Sequence, residues 1–535
     1  MQRTALPIGI SILTCLISAS SVIAGAANPP TEMPAVEEAT VSDLAARMQR
    51  GELSSHDLVK QYLDRIATID RSGPAINSII ELNPDALAIA DALDAERKSG
   101  KIRGPLHGIP VLIKDNIETA DGMHTTAGSL ALADSIAVKD STVAAKLRAV
   151  GAVILGKTNL SEWANFRSTH SSSGWSGRGG QTKNPYALDR NPCGSSSGTG
   201  AAIAASLATI GIGTETDGSI VCPSATNGLV GIKPNVGLVS RAGIIPLSHS
   251  QDTAGPMTRS VRDAAILLNA LVGSDARDPA TNDADKQRVD YTKSLDANGL
   301  KGVRIGIVRQ FAGFSPEVDA VFERNITVLK AAGAIIVDPV EIPNHDSYGD
   351  DETTVLEYEF KHDLDMYLAG LPASAKAPAS LAELIAFNKR ENAREMPWFG
   401  QELLERSQAR GPLTDQAYRD ALQRSKSLAG EQGIDAALKA NTLDALVAPT
   451  GGPAWVTDWI NGDHFSGGSS TPSAVSGYPA ITVPAGFVHG LPIGLSFFAG
   501  AWSEPKLIKF AYAFEQATQA RKPPQYRSHV QMPQP

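Results

Sequence analysis

Short apolar runs recur along this chain, and helical stretches separate most of them. Val111–Lys114, Ala152–Leu155, Val303–Val308, Ile335–Val337, Ala445–Ala448, Ile481–Val483 and Ile493–Phe498 read as strands. Thr142–Val150, Val318–Ala331 and Lys506–Thr518 lie between them and read as helices. Strands alternating with helices select a layered α/β fold around a largely parallel sheet. Upstream, Leu44, Ala45 and Met48, then Leu58, Tyr62, Leu63 and Ile66, recur at three- and four-residue steps, the period of a helix with one buried face. Residues 76–82 look extended, and Asn83-Pro84-Asp85 opens another helix. Thr199–Ala208 predicts a helix of small residues, which can lie close to a sheet in a packed central layer. Residues 343–432, rich in Glu, Lys and Arg, predict a helical excursion over one face.

A length of 535 residues permits several domains. Composition is that of a soluble globular protein, and a net charge of −9 without a basic run leaves no electrostatic footprint for nucleic acid. The amino end is more specific. Arg3 precedes a mostly apolar stretch, residues 6–23, and Ala24-Gly25-Ala26 then offers small residues, the pattern of a cleaved signal peptide over residues 1–26. Serines at 18, 20 and 21 interrupt the run, which argues against a stable membrane anchor. Residues 27–39 form a lead-in and residues 40–535 the domain proper, expected to act as an exported monomer in a periplasm or the medium. Cleavage would leave Cys193 and Cys222, too few for a disulfide framework. A bond between them is open to the chain, but two free buried thiols are the expected state.

The chemistry lies in three fragments. Lys114 closes the apolar run Ile109-Pro110-Val111-Leu112-Ile113-Lys114. Ser195 stands in Gly194-Ser195-Ser196-Ser197-Gly198, and Ser219 follows 24 residues later in Gly213-Thr214-Glu215-Thr216-Asp217-Gly218-Ser219. Taken alone, Gly194–Gly198 reads as a turn capping the next helix. No Gly-Lys-Ser/Thr follows it, which excludes a Walker loop. Ser196 occupies the centre of a Gly-x-Ser-x-Gly pattern, but the residues before it are loop sequence, so a nucleophile elbow does not fit. Ser503-Glu504-Pro505-Lys506 reads as a helix start. No His-Glu-x-x-His or Cys-x-x-Cys supports a metal, and no cofactor is expected. His124, His170 and His249 fall near these segments and read as structural or surface groups, with substrate contact as the alternative.

A lysine ending an apolar strand is ordinarily a surface cation on an aliphatic stem. Buried instead, it loses hydration and its pKa falls by up to roughly 3–5 units, which turns it into a base. Lys157, after Val153-Ile154-Leu155-Gly156, has the same appearance, and pattern alone does not choose between the two.

Together, Lys114, Gly194–Gly198 and Gly213–Ser219 resemble the amidase signature family over residues 40–520. Thr158–Phe166, Gly179–Thr182, Asp217–Pro223 and Ala501–Ile508 are similar to its peptide amidase branch, which removes the C-terminal amide of peptides with release of ammonia. The resemblance implies one α/β/α domain around a mixed sheet. It implies Ser219 as acyl nucleophile, Ser195 as a bridging serine after a cis peptide bond, and Lys114 as the base. The backbone N–H groups of Thr216, Asp217, Gly218 and Ser219 would form the oxyanion hole. Trp163, Phe166 and Trp175 are candidates for the acyl pocket. Small aliphatic, aryl or fatty amides are the alternative substrates, and an amide-binding protein without catalysis is a more distant one.

Overall fold

Eleven strands hydrogen-bond into one sheet in a computed structural model of the chain, which describes Gln2 and residues 36–530. Apart from Gln2, the expected signal peptide lies outside the described residues, as does the lead-in up to residue 35. In chain order the strands are β1 (Ile79–Leu82), β2 (Pro110–Lys114), β3 (Val153–Thr158), β4 (Trp175–Ser176), β5 (Gly180–Gln181), β6 (Ile210–Glu215) and β7 (Val230–Lys233). Then come β8 (Thr253–Thr258), β9 (Arg304–Ile307), β10 (Ile335–Val337), β11 (Ala445–Pro449), β12 (Ala480–Val488) and β13 (Leu491–Phe498). The short pair β4–β5 stands apart; the rest run β1-β3-β2-β6-β8-β7-β12-β13-β11-β9-β10.

Parallel neighbours form two blocks, β3–β2–β6 and β11–β9–β10. An antiparallel run, β6–β8–β7–β12–β13–β11, joins them, and β1 edges the sheet antiparallel to β3. The sheet is mixed, as expected, with its parallel pairs at the flanks. The middle is antiparallel for a local reason. No helix separates β7 from β8, and His489-Gly490 turns β12 directly into β13. Without a crossover helix, neighbours meet head to tail.

The helix of small residues spans Ser197–Ala204, shorter than its composition suggests, because Ser206 adopts a φ of 54° and turns the chain toward β6. Its glycines permit close approach. A Cβ on Gly198 would sit 2.2 Å from the Ser78 carbonyl oxygen and 2.5 Å from that of Asn159, so no side chain fits there. This brings the helix start, and the serines before it, against the C-terminal ends of β2, β3 and β6. The main core runs through Leu112, Ile113, Ile154, Ile203 and Ile212. Residues 36–530 belong to one unit, an α/β/α domain.

The helical excursion, with helices Gly349–Ala369, Leu381–Arg390, Glu402–Gln408 and Gln416–Ala429, builds a second core of Phe360, Leu364, Leu384 and Leu404. Within the lead-in segment, Val36 and Ala39 are buried in the main core, and Thr40 caps the helix Val41–Gln49. Arg521 pairs with Glu38 at 2.6 Å and donates to the Gly228 carbonyl at 2.7 Å, tying the carboxyl end to this first segment.

Candidate active site

Lys114 is the last residue of β2 and is fully buried. Its Nζ lies 2.7 Å from Ser195 Oγ, 2.9 Å from Thr214 Oγ1 and 3.2 Å from the Thr214 carbonyl oxygen. Asn116 Nδ2 donates to the same Thr214 hydroxyl at 3.0 Å, fixing its rotamer. Burial lowers the Lys114 pKa to about 7, against the opposing pull of Asp252 and Glu215. The amine is therefore about half neutral near pH 7, where an ordinary lysine is charged, and largely neutral about one unit higher. The Gly194–Ser195 peptide bond is cis, and the Ser195 carbonyl accepts Ser161 N–H at 3.1 Å.

Ser219 follows β6 on a four-residue bend that is pinned on three sides. Glu215 Oε2 accepts the N–H groups of Ile220 and Val221 at 2.6 and 2.9 Å, folding the bend back on the strand. Thr216 Oγ1 donates to Asp252 at 2.6 Å. Asp217 accepts Ser470 Oγ at 2.5 Å and Thr471 Oγ1 at 2.7 Å. Among the described residues, the amides of Thr216, Asp217, Gly218 and Ser219 donate to no protein acceptor. A bend with several free N–H groups, held by its side chains, is a preorganised anion cradle. The two serine loops meet: Ser196 N–H donates to the Ser219 carbonyl at 3.2 Å. Ser196 itself is structural, its Oγ bonded to the backbone of Thr214 on both sides.

The expectation of two free thiols is corrected here. Cys193 and Cys222 form a disulfide across 29 residues of sequence. Cys193 precedes Ser195 by two residues and Cys222 follows Ser219 by three, so the bond staples one serine loop to the other. The reason lies in the fold: the Ser197–Ala204 helix and the turn after β6 bring both cysteines to one wall. That wall belongs to a cleft of about 620 Å³, which Gly194, Asp217, Gly218 and Val221 also line. Its aromatic wall comes from Trp455 and Phe465.

A family model for amidases matches residues 57–508. The chain belongs to the amidase family. It is 54% identical, with a TM-score of 0.87, to the crystal structure of the peptide amidase PAM bound to the competitive inhibitor chymostatin, over 91% of this chain and 99% of that one. Native peptide amidase from Stenotrophomonas maltophilia aligns at 53% identity and a TM-score of 0.86, over 92% and 99%. A probable amidase of Arabidopsis thaliana is 42% identical over 92% of each chain. The protein is thus a hydrolase of amide C–N bonds.

Other groups that stand out in this amidase's sequence sit away from the cleft. Lys157 is also fully buried, with its pKa lowered to about 8 by burial. Its Nζ bonds the Ile117 carbonyl and Thr125 Oγ1 instead of a serine loop. Trp163 and Phe166 pack into the second core, Phe166 against Phe360 with ring centroids 5.3 Å apart. Trp175 covers the guanidinium of Arg167. None of the three lines the cleft, because each is used to seat the helical excursion. His124 Nδ1 lies 2.9 Å from Glu81, and His170 stays off the cleft wall. His249 bridges Asp363 at 2.8 Å and Glu359 at 3.2 Å. Glu359 is already saturated by Ser248, Ser250 and Tyr418, so this cluster reads as an ion-paired clamp. Sequence reading missed Thr214, Asn116, Asp252, Ser470 and Thr471. Thr214 and Asp217 stood inside the run already singled out, but their partners come from elsewhere in the chain.

Proposed function

We propose that this amidase removes the C-terminal amide of peptides through an acyl-enzyme on Ser219. The observation that carries the reading is the fully buried Lys114 amine, 2.7 Å from Ser195 Oγ, beside the bend that bears Ser219. Similarity to peptide amidases across nearly their whole length supports the substrate class. In this mechanism neutral Lys114 takes the proton of Ser195, which takes that of Ser219 as Ser219 Oγ bonds to the amide carbon. The carbonyl oxygen becomes an oxyanion, held by the N–H groups of Thr216–Ser219. One such donor is typically worth about 2.7–4 kcal/mol of barrier. When the C–N bond breaks, the proton returns through Ser195 and ammonia leaves. Water then attacks the ester carbon, giving its proton back along the same path and freeing Ser219.

The cleft can hold a peptide end, and the inferred leader and the disulfide both fit export to an oxidising compartment, a periplasm or the medium. Ammonia release from amidated peptides, fatty amides and short aliphatic amides, measured side by side, tests the reading. Peptide amides should be turned over with the highest kcat/KM, and Ser219→Ala should abolish it. Turnover of only short amides, or retained activity in the variant, would overturn it.

A further inference from the structure

Five of the eleven exposed large apolar side chains among the described residues lie on one loop or stack against it, and one of them, Phe465, lines the cleft. They are Val456, Trp459, Ile460 and Phe465 on the loop of residues 451–468, and Trp398 from the helical excursion. The loop is built inside out. Its aspartate Asp463 is buried and fully used, accepting Ser173 N–H at 3.0 Å, Trp455 Nε1 at 3.0 Å and Asn191 Nδ2 at 3.3 Å. Asp458 closes the loop on itself, accepting Ile460 and Asn461 N–H at 2.9 Å and meeting His464 Nε2 at 3.1 Å. That closure brings Phe465 back beside the turn that presents Trp459 and Ile460. Phe465 lines the cleft yet is 52% exposed, and Ile460 is 77% exposed. Trp459 donates to Gln181 Oε1 at 3.0 Å and stacks on Trp398 with ring centroids 4.7 Å apart.

A loop with this much internal hydrogen bonding is held in one shape, and a soluble chain rarely displays a contiguous apolar patch without a ligand for it. Rigid aromatic groups are also the side chains that bind at least entropic cost. We propose that Trp398, Trp459, Ile460 and Phe465 form a binding subsite for bulky apolar side chains of the substrate peptide, upstream of the residue that carries the reacting amide. The inference rests on the peptide-amide reading above and names the peptides that this site prefers. Two observations select this occupant. The patch continues into the cleft through Phe465 and Trp455. The loop carries two aspartates and no Lys or Arg, in a chain of net charge −9, which suits a peptide that keeps its amino terminus and has lost its carboxylate. The same charge disfavours an anionic lipid surface.

Three substrates ending in alanine amide test it: acetyl-alaninamide, a tetrapeptide amide with Phe at its first two positions, and the same peptide with Gly there. In the parent enzyme the Phe peptide should have a KM about tenfold below that of the Gly peptide, the effect of one aromatic anchor. Trp459→Ser and Ile460→Ser, both surface changes, should raise the KM of the Phe peptide toward that of the Gly peptide. They should leave kcat, the melting temperature and all constants for acetyl-alaninamide unchanged. An unaltered Phe-to-Gly ratio in both variants overturns the subsite, even if they lose self-association or vesicle binding instead. Failure of all three to release ammonia, with a short aliphatic amide turned over, would overturn the peptide-amide reading itself.

Discussion

At the scale of single residues the site depends on which buried lysine meets a serine. Lys114, Lys157 and Lys233 are all fully buried and all held below the ordinary lysine pKa by lost hydration. Lys114 stands apart because β2 lies next to β6, so its amine reaches Thr214 and the serine loop together. A base must be unprotonated to work, so kcat/KM should rise with pH through about 7 and level off above it. A pH profile of ammonia release from a neutral amide checks this, and a flat profile from 6 to 8 would contradict it, the window being roughly one unit either side. Lys114→Arg should stay inactive throughout, because a guanidinium does not give up its proton in this range. From sequence, Val-Leu-Ile-Lys and Ile-Leu-Gly-Lys are equivalent, both buried strand ends. Strand order distinguishes them, and strand order is not a local property.

At the scale of elements, the two serine loops act as one unit because Cys193–Cys222 and the Ser196–Ser219 backbone bond hold them together. Closing a 29-residue loop is worth about 3–4 kcal/mol by chain entropy. Reduction with a phosphine, verified by counting two thiols, should lower the melting temperature and reduce kcat more than it raises KM. A reduced enzyme with unchanged melting and turnover would show the staple to be idle. Two cysteines so separated carry no pairing signal of their own, which is why free thiols were the expected state. Aromatic lining was illegible for a similar reason. Trp163, Phe166 and Trp175 stand close in sequence to the motifs, yet the loop that reaches the cleft comes from residues 451–468, far along the chain.

For the whole molecule, alternating strands and helices announced the layered fold, and β2, β9, β10, β11 and β13 lie within a residue or two of the apolar runs that predicted them. The antiparallel centre was not announced, because β6, β7 and β8 stand outside those apolar runs and β7 pairs with β12 from far along the chain, Lys233 opposite Ala480. The first and last described segments are joined across a still longer separation, 483 residues. Arg521 pairs with Glu38 and also caps the carbonyls of Gly228 and Ala204, linking the carboxyl tail to the helix that carries the serine loop. Arg521→Ala should cost about 1.5–3 kcal/mol, the range for hydrogen bonds to charged groups. A denaturant midpoint should fall accordingly while kcat at low temperature stays near the parent value. An unchanged midpoint would show that the tail bears no load. The staple in the cleft wall packs against Trp455 in one buried cluster. A disulfide packed beside an indole is a quencher by electron transfer, so Trp455 is expected to emit weakly while the bond is intact. Opening the bond should then raise its emission, and the gain on reduction, compared between the parent and Trp455→Phe so that the other five tryptophans cancel, would report whether the two serine loops are still tied.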